Sequence, residues 1–203
     1  MSQKTKGIFS LLSSTFFYSL SQKIMSGTSF RKKIVKKIIT KNNVRILDIG
    51  CGPAEILESL PKVEYFGYDI NPNYISHAKN KYKERGKFFC KKFTNVDLKK
   101  LPKCNYVLLL GILHHLSDRE VQKLMGFIKK ILIKKGSVIS IDPVFIKNQN
   151  PIAKFIINMD RGNNVRTKKN YIDLIKRDFT KIKSQVHQQK LIPYTWFVSN
   201  FRN

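Results

Sequence analysis

The run Val44 to Ala54 limits what this chain can become more than any other feature. Val44-Arg45-Ile46-Leu47-Asp48-Ile49 reads as an apolar strand, and it passes straight into Gly50-Cys51-Gly52-Pro53-Ala54. A glycine-rich turn behind the first strand lets a ligand come close to the backbone. In an open α/β sheet, that edge is where ligands bind. Asp69 closes the second strand about twenty residues on, where a carboxylate can accept both hydroxyls of a ribose. Two glycines alone can mark no more than a tight turn. Asp48 and Asp69 in register with them point to a nucleotide-type ligand.

The same residues discriminate between ligands. A dinucleotide fingerprint needs a third glycine, but Glu55 and Ile56 stand where it would fall. A glutamate at a helix start repels a pyrophosphate that seeks the positive dipole end, and Asp48 is equally poor company for phosphate. Asp48 suits a cation such as the ammonium group of an amino acid. A ligand with ribose and ammonium but no phosphate is S-adenosylmethionine.

On these residues the chain resembles the class I S-adenosylmethionine-dependent methyltransferases of small-molecule type. Val44 to Ala54 is similar to their first motif, Phe66-Gly67-Tyr68-Asp69-Ile70 to their second, and Leu110-Gly111-Ile112-Leu113-His114-His115-Leu116 to the segment after their fourth strand. Ile131 to Asp142 resembles the fifth strand and its lead-in. The resemblance implies S-adenosyl-L-methionine as cofactor. It implies a site in which Asp48, Gly50, Cys51 and Gly52 form the receiving turn, Asp69 holds the ribose and Ile70 lies against adenine. Backbone amides of Lys92 and Phe93, together with Leu110, complete the set. Two departures stand out. Lys92 occupies the place where many members carry an acid near the adenine amino group, leaving Asp97 as the nearest substitute. Asn105 replaces an aspartate that usually opens the fourth strand. The stretches Asp160 to Arg166 and Ile192-Pro193-Tyr194-Thr195 resemble bacterial members of this broad group.

Strands and helices alternate along the chain. After the amphipathic stretch Phe30 to Ile39, the pattern predicts strands over Val44 to Ile49, Val63 to Tyr68, Lys87 to Cys90, Tyr106 to Leu110 and Ser137 to Ile141. It predicts helices over Pro53 to Leu60, over Pro72 to Arg85 with Asn71 as cap, and over Asp118 to Ile133, ended by Lys134, Lys135 and Gly136. The fold class expected is α/β: a doubly wound, Rossmann-like sheet, mostly parallel, with helices on both faces. The resemblance adds seven strands, the last antiparallel. One domain spans 1–203: an N-terminal helical cap over 1–42, a cofactor-binding core over 43–143, an insertion over 144–167, and a closing helix and two strands over 168–203.

Composition enters through charge. Lys and Arg number 39 against 13 Asp and Glu, a formal +26. Such a field attracts polyanions, which makes an RNA methyltransferase or a nucleic-acid-binding protein the alternative reading. But 31 of the 39 are Lys, the poorer residue for forked phosphate contacts, and they are scattered along the chain. Compositional drift toward Lys, Ile and Asn explains that pattern. A methyltransferase-like fold without activity is the third reading, prompted by Lys92 and Asn105. Three cysteines fit no metal template, no clustered carboxylates suggest a metal, and a reduced, cytoplasmic setting is the simple expectation. No run reaches the about 18 apolar residues of a membrane span.

The base-methylating enzymes of this fold carry an Asn- or Asp-Pro-Pro-aromatic run after the fourth strand. Leu110-Gly111-Ile112-Leu113 stands there instead, which leaves a small-molecule acceptor. His115 is the preferred candidate for a general base, against the plainer expectation that a histidine here caps the next helix. Asp160, Arg161 and Arg166 form either a clamp for a substrate anion or an internal salt bridge. The apolar residues Ile8, Phe9, Leu11, Leu12, Phe16, Phe17, Tyr18 and Leu20 are expected to close over the cleft as a lid with the insertion, with Tyr18 as the polar contact. The alternative is a peripheral membrane contact with the Lys-rich stretch behind them.

Overall fold

The computed structural model describes residues 27–159, 162–189 and 193–203. The expected lid residues Ile8 to Leu20 lie outside that range, as do Asp160, Arg161, Leu191 and Ile192. The described elements, in chain order, are α1 (Thr28–Ile38), β1 (Arg45–Ile49), β2 (Glu64–Asp69), α2 (Pro72–Tyr82), β3 (Lys87–Cys90) and β4 (Cys104–Leu110). They continue with α3 (Asp118–Ile131), β5 (Leu132–Phe145), α4 (Pro151–Asn158), β6 (Arg166–Thr167), α5 (Lys168–Ile175), β7 (Lys181–Gln189) and β8 (Tyr194–Arg202).

The strand order is β3-β2-β1-β4-β5-β8-β7. All pairings along β3 to β5 are parallel, and β8 runs antiparallel to both of its neighbours. The doubly wound sheet with an antiparallel closing strand is thus the one expected. The two-residue β6 adds a parallel pairing at the end of β5, at a place where no strand is expected from the pattern.

Each face of the sheet has its own core. One is built from α3 and α5 through Met125, Ile128, Tyr171 and Ile175. The other holds α1, α2 and α4 through Val35, Ile39, Ile75, Ala78 and Ile157, closed by Trp196 of β8. The central strands read as unbroken apolar runs because both faces are covered. Among the described residues no helix is long and apolar enough to cross a membrane.

Two elements differ from the sequence pattern. The helix expected over Pro53 to Leu60 is a five-residue 3-10 turn, Glu55–Ser59, entered through Ala54 at φ 58°. The end expected for α3 is also wrong. Ile131 is its last residue, Leu132 turns extended at ψ 144°, and Lys134, Lys135 and Gly136 lie in β5. Gly136 is no helix cap. A side chain there would press on the Cys104 and Asn105 carbonyls at 3.1 and 3.0 Å, beside the register shift between Cys104 and Tyr106. The glycine serves close strand approach at a bulge. Ser117 caps α3 in a reciprocal box with Glu120, so neither histidine before it does. Asn71 caps α2 as expected.

One buried side chain braces the end of the insertion. Arg166 is buried and donates to the carbonyls of Leu113, Leu116 and Asn164 and to Asp118 Oδ1 at 2.7 to 2.9 Å. It is a brace rather than a substrate clamp, and its acidic partner is Asp118. Arg166→Ala should therefore cost on the order of 2–4 kcal/mol, by stranding buried carbonyls. Asp118→Ala should cost under about 1 kcal/mol, because that carboxylate is solvated. Urea unfolding of the two variants checks the contrast, and equal losses would contradict it.

Candidate functional site

The carboxyl ends of β1 and β4, with α1 and the start of α2, form a cleft of about 290 Å³, and Asp69 and Ile70 stand outside its lining. Its floor is the glycine turn. Gly50 and Gly52 have φ of 75° and 55°, values that favour glycine. The amides of Gly50 and Cys51 both donate to the Tyr68 carbonyl, at 2.8 and 3.0 Å, which pins the turn to β2. A side chain on Gly52 would meet nothing within 4 Å, so that backbone faces open space.

Asp69 stands at the end of β2. Its two carboxylate oxygens accept from the amides of Gly52 and Asn71 at 2.9 and 2.8 Å. The acid is thereby fixed at the mouth of the turn, and each oxygen keeps a further lone pair. Ile70 beside it is 74% exposed, an apolar surface suited to a flat ring.

Asp48 is the unusual group. It is buried, one carboxylate oxygen accepts from the Tyr65 hydroxyl at 2.6 Å, and the other has no partner among the described residues. Burial raises its pKa to about 7, against the lowering effect of the Tyr65 hydrogen bond and of the Arg31 charge. A buried, half-satisfied carboxylate on a ligand cleft calls for a cation. Across the cleft stands Arg31 of α1. Its guanidinium fills the space that a side chain on Gly111 would take and lies 5.3 Å over the Trp196 ring. Acid and guanidinium lining one glycine-floored cleft fit the two ends of an amino-acid zwitterion. The residues present therefore fit S-adenosylmethionine.

Five of the residues expected from sequence, Asp48, Gly50, Cys51, Gly52 and Leu110, line the cleft together. Lys92 turns outward to Glu120 at 3.1 Å, and Phe93 is buried edge-on against Tyr68. Asp97, the substitute considered for the missing adenine acceptor, is used internally by Thr94, Lys91 and Tyr68. Asn105 is structural: its Oδ1 accepts from the Arg45 amide and ties β4 to β1. Sequence reading missed Thr28, Arg31, Lys32 and Tyr74, all of which line the cleft. Only the long-range packing of α1 reveals the first three.

The histidines separate clearly. His115 is exposed, on the 3-10 turn Leu113–His115. His114 is buried, and its Nδ1 lies 2.9 Å from Asp142 Oδ1. The same oxygen accepts the His114 amide at 3.2 Å, and Asp142 Oδ2 accepts from Ser140 at 2.9 Å. A side chain at Gly162 would collide with the His114 ring, so the insertion packs directly on it.

Residues 46–136 match a family described as a methyltransferase domain. Solved structures share the fold across most of the chain. The S-adenosylmethionine-dependent methyltransferase SibL superposes with a TM-score of 0.70 at 15% identity, covering 99% of this chain and 63% of that one. The mitomycin 7-O-methyltransferase MmcR gives 0.66 at 13%, with 98% and 62% covered, so this chain spans less than two thirds of its length. The N-methyltransferase NodS from Bradyrhizobium japonicum gives 0.62 at 14%, with 90% and 96% covered. No curated protein matches the sequence significantly.

Asp69→Ala removes the carboxylate that accepts the Gly52 and Asn71 amides at the mouth of the turn. Asp69→Ala should weaken S-adenosylhomocysteine binding by on the order of 2–4 kcal/mol, with unchanged far-ultraviolet circular dichroism. Calorimetry reads the change, and an unaltered affinity would place the adenosine elsewhere.

Proposed function

We propose, from a chain that has the class I S-adenosylmethionine-dependent methyltransferase fold and carries a methyltransferase domain, that it transfers a methyl group from S-adenosylmethionine to a small molecule. The observation that carries the reading is the buried Asp48 carboxylate, one oxygen unpartnered among the described residues, on the same cleft as Arg31. Asp48 receives the ammonium group, Arg31 the carboxylate, and Asp69 the ribose hydroxyls. Ile70 and Tyr74 offer apolar surface to the adenine, and the Lys92 and Phe93 amides follow the end of β3, which pairs with β2 at Asp69. Glu55 and Asp48 in the cleft disfavour phosphate, which sets this site apart from a dinucleotide site.

The cofactor, when bound, supplies an electrophilic methyl group on a sulfonium. The chain's own residues align the reactants and exclude water, which is most of what this transfer requires. The acceptor's proton goes to His114 rather than to the His115 expected from sequence. The His114 Nδ1 lies 2.9 Å from the Asp142 carboxylate, which orients the ring and would stabilise the imidazolium that forms on taking a proton. The small-molecule acceptor draws support from the solved structures of similar fold, which include a mitomycin O-methyltransferase. It also draws support from the Leu110-Gly111-Ile112-Leu113 segment, which lacks the base-methylating signature.

Asp48 makes cofactor binding depend on pH. Its pKa is raised to about 7 by burial. Below that value the carboxyl is neutral and offers the ammonium no charge, so affinity should fall as pH drops through about 7 and level off above it. Asp48→Asn should bind more weakly and flatten the profile. Calorimetric titration of S-adenosylhomocysteine on both sides of neutrality checks this; a wild-type affinity independent of pH would contradict it.

A screen with labelled cofactor against a metabolite extract and total RNA tests the activity. Label in a small molecule is the expected result, label in RNA would favour the nucleic-acid alternative, and label in neither would favour an inactive fold. With an acceptor in hand, His114→Asn should lower kcat by about 10²–10⁴-fold and remove the acidic limb of its pH profile, with cofactor affinity kept. His115→Asn should have little effect.

A further inference from the structure

The sheet face covered by α1 and α4 presents two features that the methyl-transfer chemistry does not use. Along α4, Ile152, Phe155 and Met159 are 58%, 57% and 47% exposed, while Ala153 and Ile157 face the core. Residues three and four apart share one side of a helix, so the exposed three form a single apolar ridge. Along α1, Val35 and Ile39 are buried, and Lys33, Lys36 and Lys37 are exposed. Both helices pack through the same core, on the same face of the sheet. The apolar ridge and the lysine row therefore look out on the same side of the molecule.

The helices on this side carry one sign of charge. α1 holds Arg31, Lys32, Lys33, Lys36 and Lys37 and no acid, and α4 holds Lys154 and no acid. Glu58 is paired with Lys32 and Lys81, and Lys33, Lys36 and Lys37 stay exposed.

We propose that this face docks on an anionic lipid surface, with Ile152, Phe155 and Met159 inserted among the acyl chains and the α1 lysines on the headgroups. A row of lysines beside aliphatic side chains is what such an interface selects, each part adding to the affinity. Nucleic acid would select aromatic stacking surfaces with arginine instead, and the ridge has one aromatic ring and the row no arginine. The cleft shares α1 with this face through Thr28, Arg31 and Lys32, so docking places its mouth beside the membrane. The proposal stands independently of the acceptor.

The test is co-sedimentation of the full chain with vesicles of phosphatidylcholine alone and of an equal mixture with phosphatidylglycerol, at physiological salt. Binding to the mixed vesicles only is expected. Ile152→Ser with Phe155→Ser should weaken it by on the order of tenfold or more. Lys33→Glu with Lys36→Glu and Lys37→Glu should abolish it. Calorimetry with S-adenosylhomocysteine confirms that each variant is folded. Phe155→Trp gives a second reading: its emission should shift to the blue on mixed vesicles, while the buried Trp196 contributes a constant background. Failure to sediment with either vesicle overturns the proposal, as does undiminished binding by the serine variant. Sedimentation equilibrium that shows a dimer lost in the serine variant, without vesicle binding, assigns the ridge to a second copy and overturns it too. RNA binding that survives the serine substitutions, with no vesicle binding, overturns it in favour of nucleic acid.

Discussion

A carboxylate removed from water at the carboxyl end of the central strand is the constraint around which the site is built. Burying an ionised group with too few partners costs several kcal/mol, and Asp48 is buried with one hydroxyl as its neutral partner. That hydroxyl reaches it only because of a neighbouring glycine. Gly67 lies opposite Asp48 across β1 and β2, and a side chain there would meet Cys51 Sγ at 2.9 Å and the Tyr65 ring at 3.0 Å. The missing side chain lets the Tyr65 ring lean across to the carboxylate and lets the turn close down onto β2. The cost of holding Asp48 is thus met in part by β2, and the balance is left for a ligand cation. Strain or incomplete satisfaction at a functional site, over-determined by its surroundings, is the general pattern.

Much of this was legible before any coordinates. Leu47, Val107, Leu108 and Leu109 announce strands covered on both sides, and Asn71 and Ser117 announce helix starts through ordinary capping chemistry. Asp48, the glycines and Asp69 announce the ligand edge because they sit within one strand-turn-strand unit, where spacing in sequence is spacing in space. The misreadings have equally local causes. Lys134-Lys135-Gly136 imitates a helix end, since a basic last turn and a glycine cap use the same letters as an exposed strand entering a bulge. Pro53 imitates a helix start, but Ala54 in the left-handed region turns the chain into a short 3-10 segment.

What stayed hidden depends on topology. Arg31 meets Gly111 and Trp196 across 80 and 165 residues of chain, and no periodicity in α1 marks Arg31 and Lys32, among its five basic residues, as the two that line the cleft. Nothing in the dipeptide His114-His115 ranks its members either. The ranking comes from the sheet order, which sets β4 beside β5 and so brings the turn after β4 against Asp142 near the end of β5. The insertion adds to this. Arg166 grips the carbonyls of Leu113 and Leu116 on both sides of the histidines, and Gly162 lies against the His114 ring.

That coupling bears on how such a chain divides its labour. The edge of β1 and β2 is built mainly from one short stretch of sequence, Asp48 to Asp69, to which α1 adds Arg31. The edge of β4 and β5 is framed by the insertion, which reaches it from about fifty residues away through the Arg166 guanidinium, the Asn164 amide and Gly162. Transfer from a sulfonium to a ready nucleophile needs alignment and dryness but no base. An oriented His–Asp pair contributes only where the acceptor must lose a proton, as a hydroxyl does while it attacks and a protonated amine does beforehand. Under the methyl-transfer reading, the buried pair therefore narrows the acceptor to that class.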